Sequence, residues 1–271
     1  MTSKKARELF RRWRRRSTRL LETLGPLQQR CRTDGAPEPV HELRVSLRRL
    51  RLLLRLGAAG PGKHAVVEFR HWSRAVSDAL SQLRDLDVTL EWLDGRPASA
   101  RIIATLERRR RRCWDTCSRT LPKPARNLER RLTRWKVRRK TSARLARLYY
   151  RFVQVHEVEL ARAAPRLFDL PPTERHAFRR RLRRLRYLRE LALSRHRQGA
   201  DRLLKQLVGL QEALGEYQNR RVVQVTLRQF KSPLPLRRAL ARESRSWEDA
   251  ARRQLRALRQ ARGWETLTVA E

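Results

Sequence analysis

The hydrophobic residues of this chain recur mostly at intervals of three and four positions, which is the spacing of a helix with one buried face. Near the start of the chain, Leu9, Trp13 and Leu20 follow this spacing among arginines. Proline and glycine residues lie between such segments, where a helix must stop or restart. The pattern predicts helices over residues 3–31, 38–56, 64–93, 98–120, 125–164, 173–194, 199–230 and 236–262.

No segment alternates polar and apolar residues in the way that a half-buried strand requires. Leu, Arg, Ala and Glu are far more common than the β-branched residues Val, Ile and Thr, and this composition favours helix. We therefore expect an all-α protein. Prolines near residues 121–125 predict a division into two helical lobes, residues 1–121 and 125–271, within one domain of residues 1–271.

Basic residues greatly outnumber acidic ones. The chain has 67 Lys and Arg residues against 27 Asp and Glu residues, a formal net charge of +40. Such an excess repels itself in a compact fold unless salt or a polyanion screens it, so we expect an acidic partner. Most of the basic residues are arginines, whose planar guanidinium pairs bidentately with phosphate oxygens. Nucleic acid, an anionic membrane surface and polyphosphate all qualify, and some of the arginine simply solvates helix faces.

The three cysteines, Cys31, Cys113 and Cys117, are odd in number and have no second paired cluster. Neither a disulfide framework nor a zinc site is expected from them, and they indicate a reducing cytosol. The first residues are basic but lack the apolar core of a signal peptide, and no uncharged window is long enough to cross a bilayer. We expect a cytoplasmic protein without membrane insertion, cofactor or metal.

One motif occurs twice, 135 residues apart. The segment from His41 to Arg51 aligns without gaps on the segment from His176 to Arg186, and the His, Leu and Arg positions keep their register. A looser match aligns residues 80–88 with residues 214–222. Self-similarity at this distance predicts two similar helical lobes.

In both copies, the histidine and several arginines share one face of a helix, in a strip about 80° wide at about 100° per residue. Apolar residues flank the first strip on both sides, so we expect its arginines to line a groove and to hold an anion together. We call these strips the N-terminal stripe and the C-terminal stripe. The N-terminal stripe consists of His41, Arg44, Arg48, Arg51 and Arg55, and the C-terminal stripe of His176, Arg179, Arg183 and Arg186.

Each stripe histidine has two interpretations. Beside phosphate, a histidine can donate a hydrogen bond, and the anion favours its protonation, so binding would tighten as the pH falls. Alternatively, a histidine near the start of a helix satisfies a backbone carbonyl. The repetition of the motif speaks for the first interpretation without excluding the second.

The segments Val40–Arg51, Leu83–Val88 and Arg183–Tyr187, in this order, resemble the CHAD family, the conserved histidine α-helical domain. The resemblance covers nearly the whole chain. It implies two pseudo-symmetric helical bundles around a basic central cavity, and non-catalytic binding of inorganic polyphosphate, often on polyphosphate granules. By position, the implied binding residues are both stripes together with the adjacent Arg49, Arg180 and Arg184. Arg49 and Arg184 lie about 80° from the histidines, which leaves open whether they face the same ligand.

The two copies differ at positions that bear on binding. Residue 55 is arginine, but its counterpart is Glu190, and the Arg-Asp pair at residues 84–85 becomes Gln-Asn at residues 218–219. The lobes therefore need not contribute equally. The acidic residues between 84 and 88 are expected to form ion pairs with nearby arginines, because carboxylates repel phosphate.

Two alternative functions remain open. The charge also suits a nucleic-acid binder, in which tryptophans such as Trp13 and Trp72 could stack on bases, although their apolar helix positions favour core packing. The second alternative is a phosphohydrolase. The triphosphate-hydrolysing domain that often accompanies this family uses alternating carboxylates on a strand, followed by a lysine. Here Glu157 and Glu159 lie in a predicted helix and Ala161 stands in the lysine position, which argues against such chemistry.

Overall fold

Helices make up the described architecture. The computed structural model describes residues 2–57, 63–122, 139–194, 198–199, 201–230 and 232–262. Within these residues there are nine helices and no strand, so the predicted all-α class is confirmed. The helices are α1 (Ser3–Thr33), α2 (Pro37–Gly57), α3 (Lys63–Ala79), α4 (Ser81–Leu93), α5 (Ala100–Thr120), α6 (Arg139–Ala163), α7 (Pro172–Ala192), α8 (Arg202–Leu227) and α9 (Leu234–Arg262). Of the helix predicted over 125–164, residues 125–138 lie outside the described residues.

Local sequence signals explain several helix ends. The Ser99 hydroxyl accepts a hydrogen bond from the Ile102 backbone N–H at 3.3 Å and so caps α5. Pro172 is the first residue of α7, where its missing N–H is not needed. Gly57 is the last residue of α2. Helices α2 and α7 each contain 21 residues, and α7 begins and ends 135 positions after α2, so the repeated motif occupies helices of equal length.

The single helix predicted over residues 64–93 is wrong, because the chain forms α3 and α4 with a break at Leu80. A helix end leaves its last four carbonyls without intrahelical partners. Here, two adjacent residues and two residues of other helices supply those partners and make the break tolerable. The donors are the Leu80 N–H for the carbonyl of Val76, Arg44 for Ser77, the Ser81 hydroxyl for Asp78 and the Cys117 thiol for Ala79.

Contacts divide the chain into two compact units. The N-terminal unit comprises Met1–Leu145 and Val222–Arg238, and the C-terminal unit comprises Ala146–Arg221 and Ala239–Glu271. The divisions fall within the long helices α6, α8 and α9. Proline punctuation marks where helices end, whereas these helices contribute residues to both units.

The core of the N-terminal unit is built on α1 and α2, which pack along each other, while α3 and α4 contact α2 and α5 contacts α1 and α4. Trp13 on α1 is fully buried, and its indole N–H donates to the Leu53 carbonyl of α2 at 2.7 Å. Truncating such an aromatic core residue typically costs about 3–5 kcal/mol. This anchor therefore fixes α1 against the helix that carries the N-terminal stripe.

The C-terminal unit has its own core, formed by α6, α7, α8, α9 and the turn after α6. The stripe helix α7 contributes three fully or nearly fully buried apolar residues to it. They are Phe178, Leu182 and Leu185, which align with Leu43, Leu47 and Leu50 of α2, also buried. The apolar positions of the repeated motif thus serve the same packing purpose in each unit.

Candidate anion-binding site

The N-terminal stripe lies on a helix that is buried on both flanks, as the sequence predicts. The apolar residues beside the stripe are mostly buried, namely Leu43, Leu47, Leu50 and Leu54 on one flank and Leu52 and Leu56 on the other, while Val45 on the second flank is half-buried. Within the stripe only Arg55 is exposed, and the other four residues are half-buried. The stripe is therefore a confined row of charge and not a set of side chains extended into bulk water.

Two arginines of this stripe donate hydrogen bonds to the C-terminal end of α3. Arg44 donates to the Ser77 carbonyl at 2.6 Å, and Arg51 donates to the Ser77 hydroxyl at 3.0 Å. Arg51 also donates to the Leu47 carbonyl of its own helix at 3.3 Å. These acceptors are neutral, so they orient the guanidinium groups without cancelling their charge. The carbonyl end of a helix also attracts cations, which strengthens the hold of Arg44 on α3.

The stripe arginines act electrostatically on His41. Burial, followed by the positive charges of Arg84, Arg48 and Arg44, lowers the pKa of His41 below its usual value, while Glu38 opposes the shift. The net field at the imidazole is therefore positive. A negative ligand in this place would reverse the effect and favour the protonated form.

His41 also lines a pocket of about 580 Å³ in the N-terminal unit, between the start of α2 and helices α4 and α5. Its polar lining has both signs of charge. The charged and titratable residues are Glu38 and His41 from α2, Arg84, Asp87 and Glu91 from α4, and Arg110 from α5. Arg84 and Glu91 are 4.0 Å apart, and Glu91 is largely exposed. Of the residues that line this pocket, only His41 is among the binding residues predicted from the sequence.

The residues that line the pocket include a buried ion pair. The Asp87 side chain is 1% exposed, and its Oδ1 accepts a hydrogen bond from Arg110 Nε at 2.6 Å. Arg110 also donates to the Gly35 carbonyl at 2.6 Å. Gly35 has a φ of +66°, and a Cβ atom at this position would lie only 3.1 Å from the Trp114 ring. The pair therefore ties α4 and α5 to the turn that leads into the stripe helix, and the expected pairing of an acidic residue in this segment is confirmed for Asp87.

In the C-terminal stripe, one arginine is held by an acidic side chain. Arg186 donates from Nε to Glu190 Oε1 at 2.7 Å, and both side chains are mostly buried. The guanidinium of Arg186 also lies over the Tyr187 ring, 5.9 Å from its centroid. Arg179 and Arg183 are half-buried. One arginine of this stripe thus has its charge compensated by an acid of the protein itself.

His176 is exposed, unlike His41, yet its electrostatic setting is similar. Burial of part of the ring, followed by the charges of Arg180, Arg179 and Arg183, lowers the pKa of His176. The arginines that the motif aligns with the histidine therefore act on it in both units. Arg180, which has no basic counterpart in the first copy, belongs to this group.

The remaining implied residues lie beside the stripes. Arg49 and Arg184 are half-buried on their helices, and Arg180 is exposed. Sequence reasoning did not identify Ser77, Glu91 or Arg110 as neighbours of the stripe. The sequence signal that could have indicated this cluster is the spacing of Arg84, Asp87 and Glu91 along one helical face. The partners on α3 and α5 come from tertiary packing.

The residues considered for the alternative functions have structural partners. Glu157 and Glu159 lie in α6, as predicted, where Glu157 pairs with Arg262 and Glu159 pairs with Arg181. Trp13 is buried, which confirms core packing for this residue, whereas Trp72 is only partly buried and its indole N–H donates to the Pro122 carbonyl at 3.2 Å.

Cys31, Cys113 and Cys117 form no disulfide with one another. Burial raises the pKa of Cys31 to about 12 and that of Cys113 to about 11. These values disfavour the thiolate, which is the reactive form. Separately, none of the helices in the described part of the chain has the length and apolar character needed to cross a membrane.

Comparison with known proteins reveals a consistent likeness. The family model of the CHAD domain matches residues 16–228. The chain is similar to the crystal structure of the CHAD domain from the plant Ricinus communis, at 23% sequence identity over 93% of this chain and 92% of that chain, with a TM-score of 0.64. It is also similar to PptA from Streptomyces chartreusis, at 16% identity over 96% and 98% of the two chains, with a TM-score of 0.52. At these identities the structural likeness establishes the fold alone. No curated protein matches the sequence.

Proposed function

The chain belongs to the CHAD domain family, and on that premise we propose that it binds inorganic polyphosphate through its two arginine stripes without catalysing a reaction. The observation that carries the proposal is electrostatic. In each unit, burial and the neighbouring arginines together lower the pKa of the stripe histidine. A row of half-buried positive charge of this kind is stabilised when an anion enters it.

The spacing of the charges supports a threadlike anion. Successive stripe arginines lie about one helical turn apart, which corresponds to a rise of about 5.4 Å. Polyphosphate offers oxygens at every unit and carries no bases that need a separate pocket. Each guanidinium can therefore pair with a nearby phosphate along the row.

The state of the acidic residues supports binding without catalysis. Glu157 and Glu159 are engaged by Arg262 and Arg181 on a helix, whereas metal-assisted phosphoryl transfer needs carboxylates that are available to a cation. We further propose that the protein accompanies polyphosphate granules in the cytoplasm.

A competition experiment separates polyphosphate from nucleic acid as the ligand. Labelled long-chain polyphosphate bound to the protein is challenged with duplex DNA at equal phosphate concentration, at about 0.15 M salt. We expect polyphosphate to remain bound and, in the reverse experiment, to displace DNA. If DNA prevails, or if binding of both ligands is lost together with the same steep dependence on salt, generic charge attraction suffices.

Matched variants test whether the stripes matter beyond total charge. The variant Arg48→Gln with Arg183→Gln loses two charges from the stripes, and the control Arg108→Gln with Arg112→Gln loses two from the exposed face of α5. We expect the first pair to weaken polyphosphate binding by roughly tenfold or more, because charge-assisted hydrogen bonds contribute about 1.5–3 kcal/mol each. The control should change the affinity by less than about threefold, since exposed charges contribute little.

Absence of turnover is tested directly. Incubation with polyphosphate or nucleoside triphosphates, in the presence of magnesium or manganese, should release no more orthophosphate than a heat-denatured sample. Release above that background would refute the non-catalytic part of the proposal.

A further inference from the structure

The pocket beside His41 has the size and lining of a small-ligand site. Its volume of about 580 Å³ lies within the range of about 300–1,000 Å³ that is typical of such sites. Pro37 and Leu90 provide apolar wall, and the polar groups come from three different helices. All the lining residues belong to the N-terminal unit, so the pocket is complete within one unit.

One carboxylate oxygen of this pocket accepts no hydrogen bond from the described residues. Asp87 Oδ1 accepts from Arg110, but Asp87 Oδ2 is buried and accepts no hydrogen bond from the described residues. A buried acceptor without a partner costs about 1–3 kcal/mol, or more when it is charged. A ligand that donates a hydrogen bond to this oxygen would recover that energy.

The part of the lining around His41 favours an anion. At His41 the charges of Arg84, Arg48 and Arg44 outweigh that of Glu38. The charged groups that face Asp87 are Arg110 from α5, Arg84 and Glu91 from its own helix, and Glu38 with His41 from α2. Burial raises the pKa of Asp87, and its hydrogen bond to Arg110 opposes this. The pocket thus combines the donors Arg84, Arg110 and His41 with three carboxylates, of which only that of Asp87 has a buried oxygen that accepts no hydrogen bond from the described residues.

We propose that this pocket binds a monoprotonated phosphate group, either the end of a polyphosphate chain or free orthophosphate. The P–OH group donates to Asp87, and the unprotonated oxygens accept hydrogen bonds from Arg84 and His41. A bridging unit of polyphosphate has no second proton to donate near neutral pH, whereas a terminal phosphate loses its second proton at about pH 6 to 7. The chain-end form of this inference rests on the proposed function and makes Asp87 the residue that distinguishes a chain end from the chain interior.

Sulfate is the diagnostic competitor, because it matches phosphate in shape but carries no proton at neutral pH. A site built around a ligand hydroxyl rejects an analogue that lacks it. By calorimetry at pH 6.5, the unaltered protein should bind orthophosphate at least tenfold more tightly than sulfate. Equal affinity for the two anions would overturn the proposal, and this arm needs no variant.

The variant Asp87→Asn keeps the shape of the side chain but offers an N–H to the anion in place of one oxygen. We expect its preference for phosphate to fall to within about threefold, mainly through tighter sulfate binding. The control Asp85→Asn removes an exposed carboxylate two residues away and should retain the preference. In Arg84→Gln both anions should bind more weakly with the preference unchanged. A folded Asp87→Asn that still prefers phosphate tenfold would contradict the assignment.

Chain length identifies the source of the phosphate. If chain ends bind, tripolyphosphate competes with orthophosphate for the pocket, and Asp87→Asn weakens tripolyphosphate binding. If only orthophosphate responds to the substitution, the ligand is the free anion. A phosphate preference that persists in a protein unable to bind long chains would uphold this inference while refuting the proposed function. If the protein binds long chains but does not prefer phosphate over sulfate, the proposed function is upheld and this inference is refuted.

Discussion

The two stripe helices, α2 and α7, have the same length and bury apolar residues at several aligned positions, such as Leu43 and Phe178, yet their arginines are held by different partners. In the N-terminal stripe, Arg44 and Arg51 donate to the carbonyl and hydroxyl of Ser77, which are neutral. In the C-terminal stripe, Arg186 is paired with Glu190. One arginine of the C-terminal stripe is thus paired with an acid of its own helix, whereas these two arginines of the N-terminal stripe bind polar groups of α3, and Asp85 also acts electrostatically on Arg44.

A single aligned position accounts for much of this difference. Glu190 corresponds to Arg55, the exposed end of the N-terminal stripe. One residue thus adds a charge in one unit and neutralises a charge in the other. We infer that the two units contribute unequally to polyphosphate binding, with the larger share in the N-terminal unit.

The pocket beside His41 sharpens the contrast. Its acidic residue Asp87 aligns with Arg221, and its Arg84 aligns with Gln218. The charge pattern that we assign to recognition of a protonated phosphate is therefore specific to the first copy of the motif. The two copies of the motif thus share buried apolar positions on the stripe helix but differ in their polar surroundings.

The largest expected effect comes from breaking the buried ion pair of the N-terminal unit. Asp87→Leu leaves Arg110 without its charge partner, so the free energy of unfolding should fall by about 3–5 kcal/mol. The aligned change in the C-terminal unit, Arg221→Leu, alters an exposed residue and should cost less than about 1 kcal/mol. Denaturant titration of both variants measures the difference. A similar decrease in the free energy of unfolding in both variants would mean that the aligned residues contribute equally to the stability of the two units.

An exchange of the aligned residues should shift the binding balance. Arg55→Glu places an acid one turn after Arg51, as Glu190 follows Arg186, and should weaken polyphosphate binding by about fivefold to tenfold. Glu190→Gln releases Arg186 and should strengthen binding by about threefold, in keeping with ion-pair energies of up to about 1 kcal/mol. Titration with labelled polyphosphate measures both changes. Arg108→Glu on α5 is the charge-matched control for the first variant, and an equal loss in that control would remove the special role of the stripe.

The pH dependence of binding should be smaller still. The pKa of each stripe histidine is lowered in the unliganded protein, and a bound anion raises it. Binding is therefore coupled to proton uptake, so affinity increases as the pH falls and decreases as the pH rises through the histidine range near 6.5.

We expect a change of about twofold to fivefold between pH 5.5 and pH 7.5, as a rough estimate from the coupling of ligand charge to protonation. In the variant His41→Gln with His176→Gln this slope should flatten. A slope that the double variant retains in full would assign the pH dependence to polyphosphate itself.

The sequence predicted the stripe helices well because their limits depend on local signals. Residues 38–56 were predicted for α2, which spans Pro37–Gly57, and residues 173–194 for α7, which spans Pro172–Ala192. Apolar periodicity placed the buried face, and proline and glycine marked the ends. The family resemblance rests on the same segments and is confirmed by the match over residues 16–228.

Features that depend on distant contacts were not predictable in this way. The apolar pattern runs without interruption through Leu80, but donors from α2 and α5 allow the helix to end there. Similarly, Asp87 and Arg110 are 23 residues apart in sequence, and nothing in either local pattern selects that pair among the many arginines. The acceptors also differ in chemistry between the two stripes, because the Ser77 groups are neutral and Glu190 is acidic.

The most direct test of polyphosphate binding by the stripes is a crystal structure of the protein with a short polyphosphate chain. The account predicts phosphate density against Arg48 of α2 and against Arg183 of α7, with the stronger density at α2. Density confined to the exposed arginines of α5, such as Arg108 and Arg112, with both stripes unoccupied, would contradict it.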